Sequence, residues 1–284
     1  MKLIIQPDDG VAPVVEAIAR AKKTIDIVIF RFDRREVEQA LKAAVGRGVV
    51  VRALIAHTNK GGDKRLRNLE LRLLEAGVTV ARTADDLARY HGKLIIVDGR
   101  TLNLYGFNYT KLDIDKSRSF GIVTRDRGVV QEAMKLFEAD ALRQTYTPGH
   151  KRLVVSPENS RALLTGFIKG AKKQLLIYDA QVSDNAIQKV LQERAKAGVE
   201  IRIIGGLEKP LSRVKVRRLA DLRLHVRAIV RDGNSAFVGS QSLRKLELEG
   251  RREVGLIITH GHIARKIQAA FEHDWHRRSR KKVA

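Results

Sequence analysis

The 284-residue chain contains no cysteine, which excludes a disulfide framework, a thiol nucleophile, a Cys-ligated zinc site and an iron–sulfur cluster. Aromatic residues make up only 5%, so platforms for stacking nucleobases are few. No apolar run reaches the roughly 18–20 residues needed to cross a bilayer. The segment MKLIIQPDDG breaks into Pro-Asp-Asp after three apolar residues and is not expected to act as a signal peptide. Acidic residues are also scarce: 32 Asp plus Glu face 55 Lys plus Arg, a formal net charge of +23. That excess bears on partners rather than on fold. It favours a polyanion, whether nucleic acid, an anionic phospholipid surface or a phosphate-bearing substrate. Apolar residues make up 44%, enough for a large core and too many for a disordered chain. The expectation is a cytoplasmic protein with no transmembrane segment.

The sequence repeats itself. Sliding it by 150 residues lays Leu3 to Asp9 over Leu153 to Asn159, and twelve identities fall within residues 3–55. Among them are Ala21-Lys22-Lys23 over Ala171-Lys172-Lys173, and Gly48-Val49 over Gly198-Val199. Further on the offset becomes 134: His91-Gly92-Lys93 lies over His225-Val226-Arg227, and Phe137-Glu138 over Phe271-Glu272. The difference is a longer middle segment in the first copy, around residues 57–88. The halves join near Thr147-Pro148-Gly149, so the domains are expected at 1–147 and 148–284. In each half apolar runs such as VVVRALI alternate with amphipathic stretches such as 34–46 and 128–143. This pattern predicts an α/β protein with helices on both faces of each sheet.

Two histidines share a surrounding pattern, with a basic residue at +2 and an acid at +7. His91, Lys93 and Asp98 form one set; His225, Arg227 and Asp232 form the other. In a strand, positions i and i+2 project from the same face, which sets a nucleophile beside a phosphate-binding cation. Alone, one set reads most simply as a strand-end histidine with a snorkelling lysine; its duplication at equivalent places argues for chemistry. His260-x-His262 and His273-x-x-His276 lack converging acids and read as surface histidines. Trp275 is expected to pack the closing helix onto its sheet.

The two sets resemble the motif of the phospholipase D superfamily: HxK, four residues, D, six residues, then GSxN. The first copy matches through Asp98, but its last slot reads Tyr105-Gly106-Phe107-Asn108, keeping the Asn alone. The second carries Arg227 for Lys, and its slot reads Gly239-Ser240-Gln241-Ser242, without the Asn. The resemblance implies two homologous α/β/α halves, mixed sheets flanked by helices, related by a pseudo-twofold axis that brings both histidines to one site. It further implies phosphodiester exchange through a phosphohistidine, with no metal and no cofactor. His91 would attack, and His225 would serve as general acid and base. Lys93, Arg227, Asn108 and Ser240 or Ser242 would hold the phosphate oxygens. Glu253, 28 residues past His225, would orient that ring and keep it protonated, its counterpart past His91 being Ser119. Asp98 and Asp232 read as structural.

Three functions remain open on the sequence. Basic clusters at Lys64 to Arg67, Arg213 to Arg218, Arg244-Lys245, Arg251-Arg252 and Arg277 to Lys282 suit a phosphate backbone and favour a nuclease. A phospholipase D or phosphatidyltransferase of cardiolipin synthase type is the enzymatic alternative. A phosphate-binding pseudoenzyme is the third. Gly61-Gly62-Asp63-Lys64 reads as a loop rimming the site. Since both motifs lie in one chain, a monomer suffices for a complete site.

Overall fold

The computed structural model describes residues 1–57 and 63–277. The Gly61-Gly62 loop and the basic tail beyond Arg277 lie outside the described residues. The first half runs β1 (Lys2–Gln6), α1 (Ala12–Ala19), β2 (Thr24–Ile29), α2 (Arg35–Gly46), β3 (Val50–Ile55), α3 (Asp63–Glu75) and β4 (Thr79–Arg82). It continues through β5 (Arg89–Tyr90), β6 (Leu94–Val97), β7 (Thr101–Tyr105), α4 (Lys111–Asp115), β8 (Ser117–Thr124) and α5 (Arg127–Ala141). The second half contains β9 (Leu153–Val155), α6 (Ser160–Lys169), β10 (Gln174–Val182), α7 (Asn185–Lys196), β11 (Glu200–Leu207), β12 (Val214–Arg217) and β13 (Arg223–Leu224). It ends with β14 (Arg227–Arg231), β15 (Ser235–Gly239), α8 (Lys245–Glu249), β16 (Arg251–Arg252), β17 (Val254–Ile258) and α9 (Gly261–His276).

The repeat is visible in the strand order. The first sheet reads β1-β8-β7-β6-β2-β3-β4 and the second β9-β17-β15-β14-β10-β11-β12, so equivalent strands occupy the same places in the two sheets. Both sheets are mixed, β2, β3 and β4 being parallel and the remaining pairs antiparallel. Central strands are buried throughout, as in Leu94–Val97 and Ser235–Gly239, which requires cover on both faces. One apolar layer joins α1, α2 and α3 to the outer face of the first sheet, and another joins α6 and α7 to the second. The inner faces share a single core with α5 and α9, in which Phe120, Phe137, Tyr178 and Phe271 meet. Trp275 belongs to that core and stacks on Phe271, with ring centroids 5.7 Å apart. No helix among the described residues is long and apolar enough to cross a membrane.

Three two-residue strands were not expected from the sequence, and they bind the halves together. β16 pairs in parallel with β5, setting Arg251 opposite Arg89 and Arg252 opposite Tyr90. β13 pairs in parallel with β8, setting Arg223 opposite Ser117 and Leu224 opposite Arg118. Under the 134-residue offset these are the same contact made twice. A pair of buried arginines reinforces them. Arg118 donates to both carboxylate oxygens of Asp274 at 2.8 and 3.0 Å and to the Gln6 carbonyl at 2.9 Å. Arg252, its counterpart, donates to Asp140 at 3.1 Å, the Ser156 carbonyl at 3.0 Å and Glu158 at 2.5 Å. Arg252 is therefore a clamp between the halves, and the expectation that it adds to a phosphate-binding surface does not hold.

Candidate active site

Each histidine follows one of the short cross-half strands. The His91 amide donates to the Arg252 carbonyl at 2.7 Å, and the His225 amide donates to the Arg118 carbonyl at 3.1 Å. The backbone of each motif is thus pinned to the opposite half. At the far end of each motif the aspartate holds the turn. Asp98 and Asp232 both lie at φ +53°, followed by Gly99 and Gly233 at +59° and +67°. The Asp98 carboxylate accepts the amides of Lys22, Lys23 and Thr24, at 2.7 Å for Lys23. Asp232 does the same with Lys172, Lys173 and Gln174. Burial opposes their charge, but three N–H donors outweigh it and hold both carboxyls below the usual range.

The carboxylate beside His91 comes from the other half. His91 Nδ1 lies 2.8 Å from Glu253 Oε2. This corrects the expectation that Glu253 orients His225. The reason is the cross-half register: Glu253 follows Arg252, whose carbonyl receives the His91 amide, so it faces His91. Ser119 follows Arg118 in the same way, but its counterpart role beside His225 falls to Asp113, whose Oδ2 is 3.5 Å from His225 Nδ1. Sequence reasoning missed Asp113. The available signal was a second duplicated acid, since Asp113 and Glu247 each lie 22 residues past their motif histidine.

Because a carboxylate accepts at His91 Nδ1, that nitrogen carries the hydrogen and Nε2 carries the lone pair. Lys93 Nζ stands 2.8 Å from Nε2 and 2.9 Å from Nδ1, at the edge of the ring between them. The Phe30 ring packs edge-on against the imidazole, with centroids 4.5 Å apart. Burial, then Lys93 and Arg227, push His91 well below the usual histidine value. Burial and Arg227 do the same to His225, with Lys93 adding to them and Asp113 pulling the other way. Burial pushes the Lys93 ammonium down to about 7. These directions favour neutral imidazoles in the free protein, against the expectation that a carboxylate keeps His225 charged. The cause is burial first, and then the cations Lys93 and Arg227 beside the rings.

The remaining expected residues are committed to the protein. Asn108 Nδ2 and its amide donate to Asp113 Oδ2 at 2.6 and 2.9 Å, fixing the carboxylate next to His225. Ser240 Oγ receives the Val254 amide at 3.1 Å. Ser242 Oγ donates to the buried Asp179. The structure thus makes Asn108, Ser240 and Ser242 supports of the site, leaving Lys93 and Arg227 as the cations that both histidines feel.

The sequence matches the family described as "Cardiolipin synthase, PLD-like domain" over residues 14–141 and 164–275. The mitochondrial cardiolipin hydrolase of Danio rerio is 28% identical over 129 residues, 44% of this chain. The chain spans about half, 56%, of that curated relative's length. Among solved structures, polyphosphate kinase from Porphyromonas gingivalis superposes with a TM-score of 0.79 at 18% identity, covering 100% of this chain and 52% of the kinase. Phosphatidylserine synthase from Haemophilus influenzae Rd KW20 gives a TM-score of 0.70 at 12% identity, covering 96% of this chain and 85% of the synthase. At these identities the two structures share the fold.

Proposed function

This chain belongs to the phospholipase D superfamily, and on that premise we propose that it is a phosphodiesterase whose halves, 1–147 and 148–284, each supply one histidine to a single site. The reading rests on one observation: each motif histidine is seated by the other half, His91 by the Arg252 carbonyl and the Glu253 carboxylate and His225 by the Arg118 carbonyl and the Asp113 carboxylate. The motifs therefore share one pocket, and its surplus positive charge suits one phosphodiester anion.

His91 Nε2 attacks phosphorus, forming a P–N bond as the bond to the leaving oxygen breaks, while His225 gives that oxygen a proton. Water then attacks the phosphohistidine, His225 takes its proton, and the P–N bond breaks. Lys93 and Arg227 hold the non-bridging oxygens. Neutral His91 is ready to attack, whereas His225 must first gain a proton. Burial opposes that gain; the bound diester favours it, because its negative charge offsets Lys93 and Arg227 and acts with Asp113 to raise the imidazole. The reaction uses no metal.

The net charge of +23 favours nucleic acid as substrate, and we assign a nuclease function. The cardiolipin synthase family match and the zebrafish cardiolipin hydrolase favour a second reading, phosphatidyl hydrolysis or transfer. Trapping by denaturation at alkaline pH in EDTA tests the mechanism, because the P–N bond of a phosphohistidine survives base but not acid. Wild type incubated with labelled single-stranded DNA is expected to retain phosphoryl label that His91→Ala lacks. Label in His91→Ala but not in His225→Ala reverses the roles. Turnover of phosphatidylglycerol or cardiolipin vesicles with none of DNA or RNA moves the assignment to lipids, and no turnover of any diester leaves a phosphate-binding pseudoenzyme.

A further inference from the structure

Arg89 and Arg251 are directly opposed in the parallel β5–β16 pair. Like charges placed opposite one another destabilise a sheet, so this arrangement calls for a reason. The alternation of the pair fixes where the two side chains lie. Arg252 turns to the far face, with its guanidinium carbon 5.6 Å from the centre of the Tyr90 ring. His91 and Glu253, one step further, meet on the near face at 2.8 Å. Arg89 and Arg251 share that near face, two residues before His91, a step of about 6.6 Å along a strand. Both are half-buried.

The local acids do not balance them. Glu247 accepts from Arg251 at 2.7 Å and from Arg244 as well, so one carboxylate serves two guanidiniums. The Nε atoms of Arg31, Arg244 and Arg251 are buried without a hydrogen-bond partner among the described residues. Burial and then repulsion from Arg251 and Arg31 make the Arg89 guanidinium less basic than usual. The equivalent place beside His225 is built differently. There Arg223 opposes Ser117 rather than a second arginine, and it donates to Asp113 at 2.6 Å and to Ser117 Oγ at 3.1 Å. Among the described residues, the opposed arginine pair is therefore found on the His91 side and not repeated beside His225.

We propose that Arg89 and Arg251, with Arg31 nearby, form a second phosphate subsite that takes the phosphate next to the scissile one in a nucleic-acid strand. Its place beside a scissile phosphate rests on the hydrolase reading above. Bidentate guanidiniums suit that anion, and a strand with regularly spaced phosphates can occupy both positions at once. With the leaving group directed toward His225, the flanking phosphate belongs to the retained nucleoside.

Thymidine 3′-(p-nitrophenyl phosphate), with and without a 5′-phosphate, separates the two positions. For wild type the 5′-phosphate is expected to lower KM about tenfold, the worth of one charge-assisted contact. In Arg89→Ala that advantage falls below about twofold, Arg89→Lys restores part of it, and the ester lacking the 5′-phosphate is turned over equally by all three. Thermal unfolding at low salt is expected to show Arg89→Ala at least as stable as wild type, since a like-charge pair is relieved. An equal KM for the two esters in wild type, or an advantage that survives in Arg89→Ala, overturns the subsite. If neither ester is cleaved, the hydrolase reading fails, and calorimetric binding of the same two compounds still decides the subsite by the same Arg89-dependent ratio. An Arg89-dependent preference found with cardiolipin vesicles but not with these nucleotides overturns the nucleic-acid assignment.

Discussion

The two carboxylates face the Nδ1 atoms of different histidines, and that predicts separable defects. Asp113→Asn should weaken only the proton delivery by His225. We expect a loss of up to about hundredfold on a nucleotide diester, whose leaving alkoxide needs a proton, and little loss on a p-nitrophenyl ester. Glu253→Gln should slow phosphohistidine formation from both substrates, because it disturbs the nitrogen opposite the attacking one. Burst kinetics on the two ester types distinguishes these patterns. Lys93 adds a pH dependence. Its ammonium is the phosphate-binding form and is pushed down to about 7 in the free protein, so kcat/KM should fall as pH rises through that value. Lys93→Arg, whose guanidinium stays charged, should flatten this limb even where it lowers the rate. The motif residues were legible from spacing alone. Their carboxylate partners were not, because spacing within a repeat suggests a partner within the same half, and Glu253 crosses to the other.

The strands that carry the sheets were legible because burial on both faces writes continuous apolar runs such as Leu94–Val97. β5, β13 and β16 left no such trace. Each has two residues, and its hydrogen-bond partner lies more than a hundred positions away, beyond any local period. The arginine clamps beside them were hidden for a related reason, since an arginine run gives no sign of which member turns inward. Their energetics are testable. Asp274 is fully buried and receives Arg118 and the Tyr178 hydroxyl, the latter at 2.7 Å. Asp274→Ala leaves a buried guanidinium uncompensated and should lower unfolding free energy by about 3–5 kcal/mol. Asp8→Ala removes a carboxylate that touches the same arginine but is 69% exposed, and should cost at most about 1 kcal/mol. Urea titrations of both variants make the comparison.

For the molecule as a whole, the surplus of positive charge predicts a steep salt dependence. Each single-strand phosphate contacted should contribute about 0.7 to the slope of log affinity against log salt. With both phosphate positions filled, Arg89→Ala should reduce that slope by about 0.7 in a fluorescence-anisotropy titration, whereas a distant surface lysine should leave it unchanged. The reciprocal seating of the histidines has a further consequence, concerning where such a site can exist at all. Arg252 of one half holds the backbone of His91, and Arg118 of the other holds that of His225. A half-length chain could therefore complete a site only by finding a second copy, and its activity would vary with the square of its concentration when dilute. Joining the halves in one chain replaces that encounter with a fixed effective concentration. Dilution should then leave specific activity unchanged, while residues 1–147 and 148–284 supplied as separate chains should lose it on dilution and regain it on mixing.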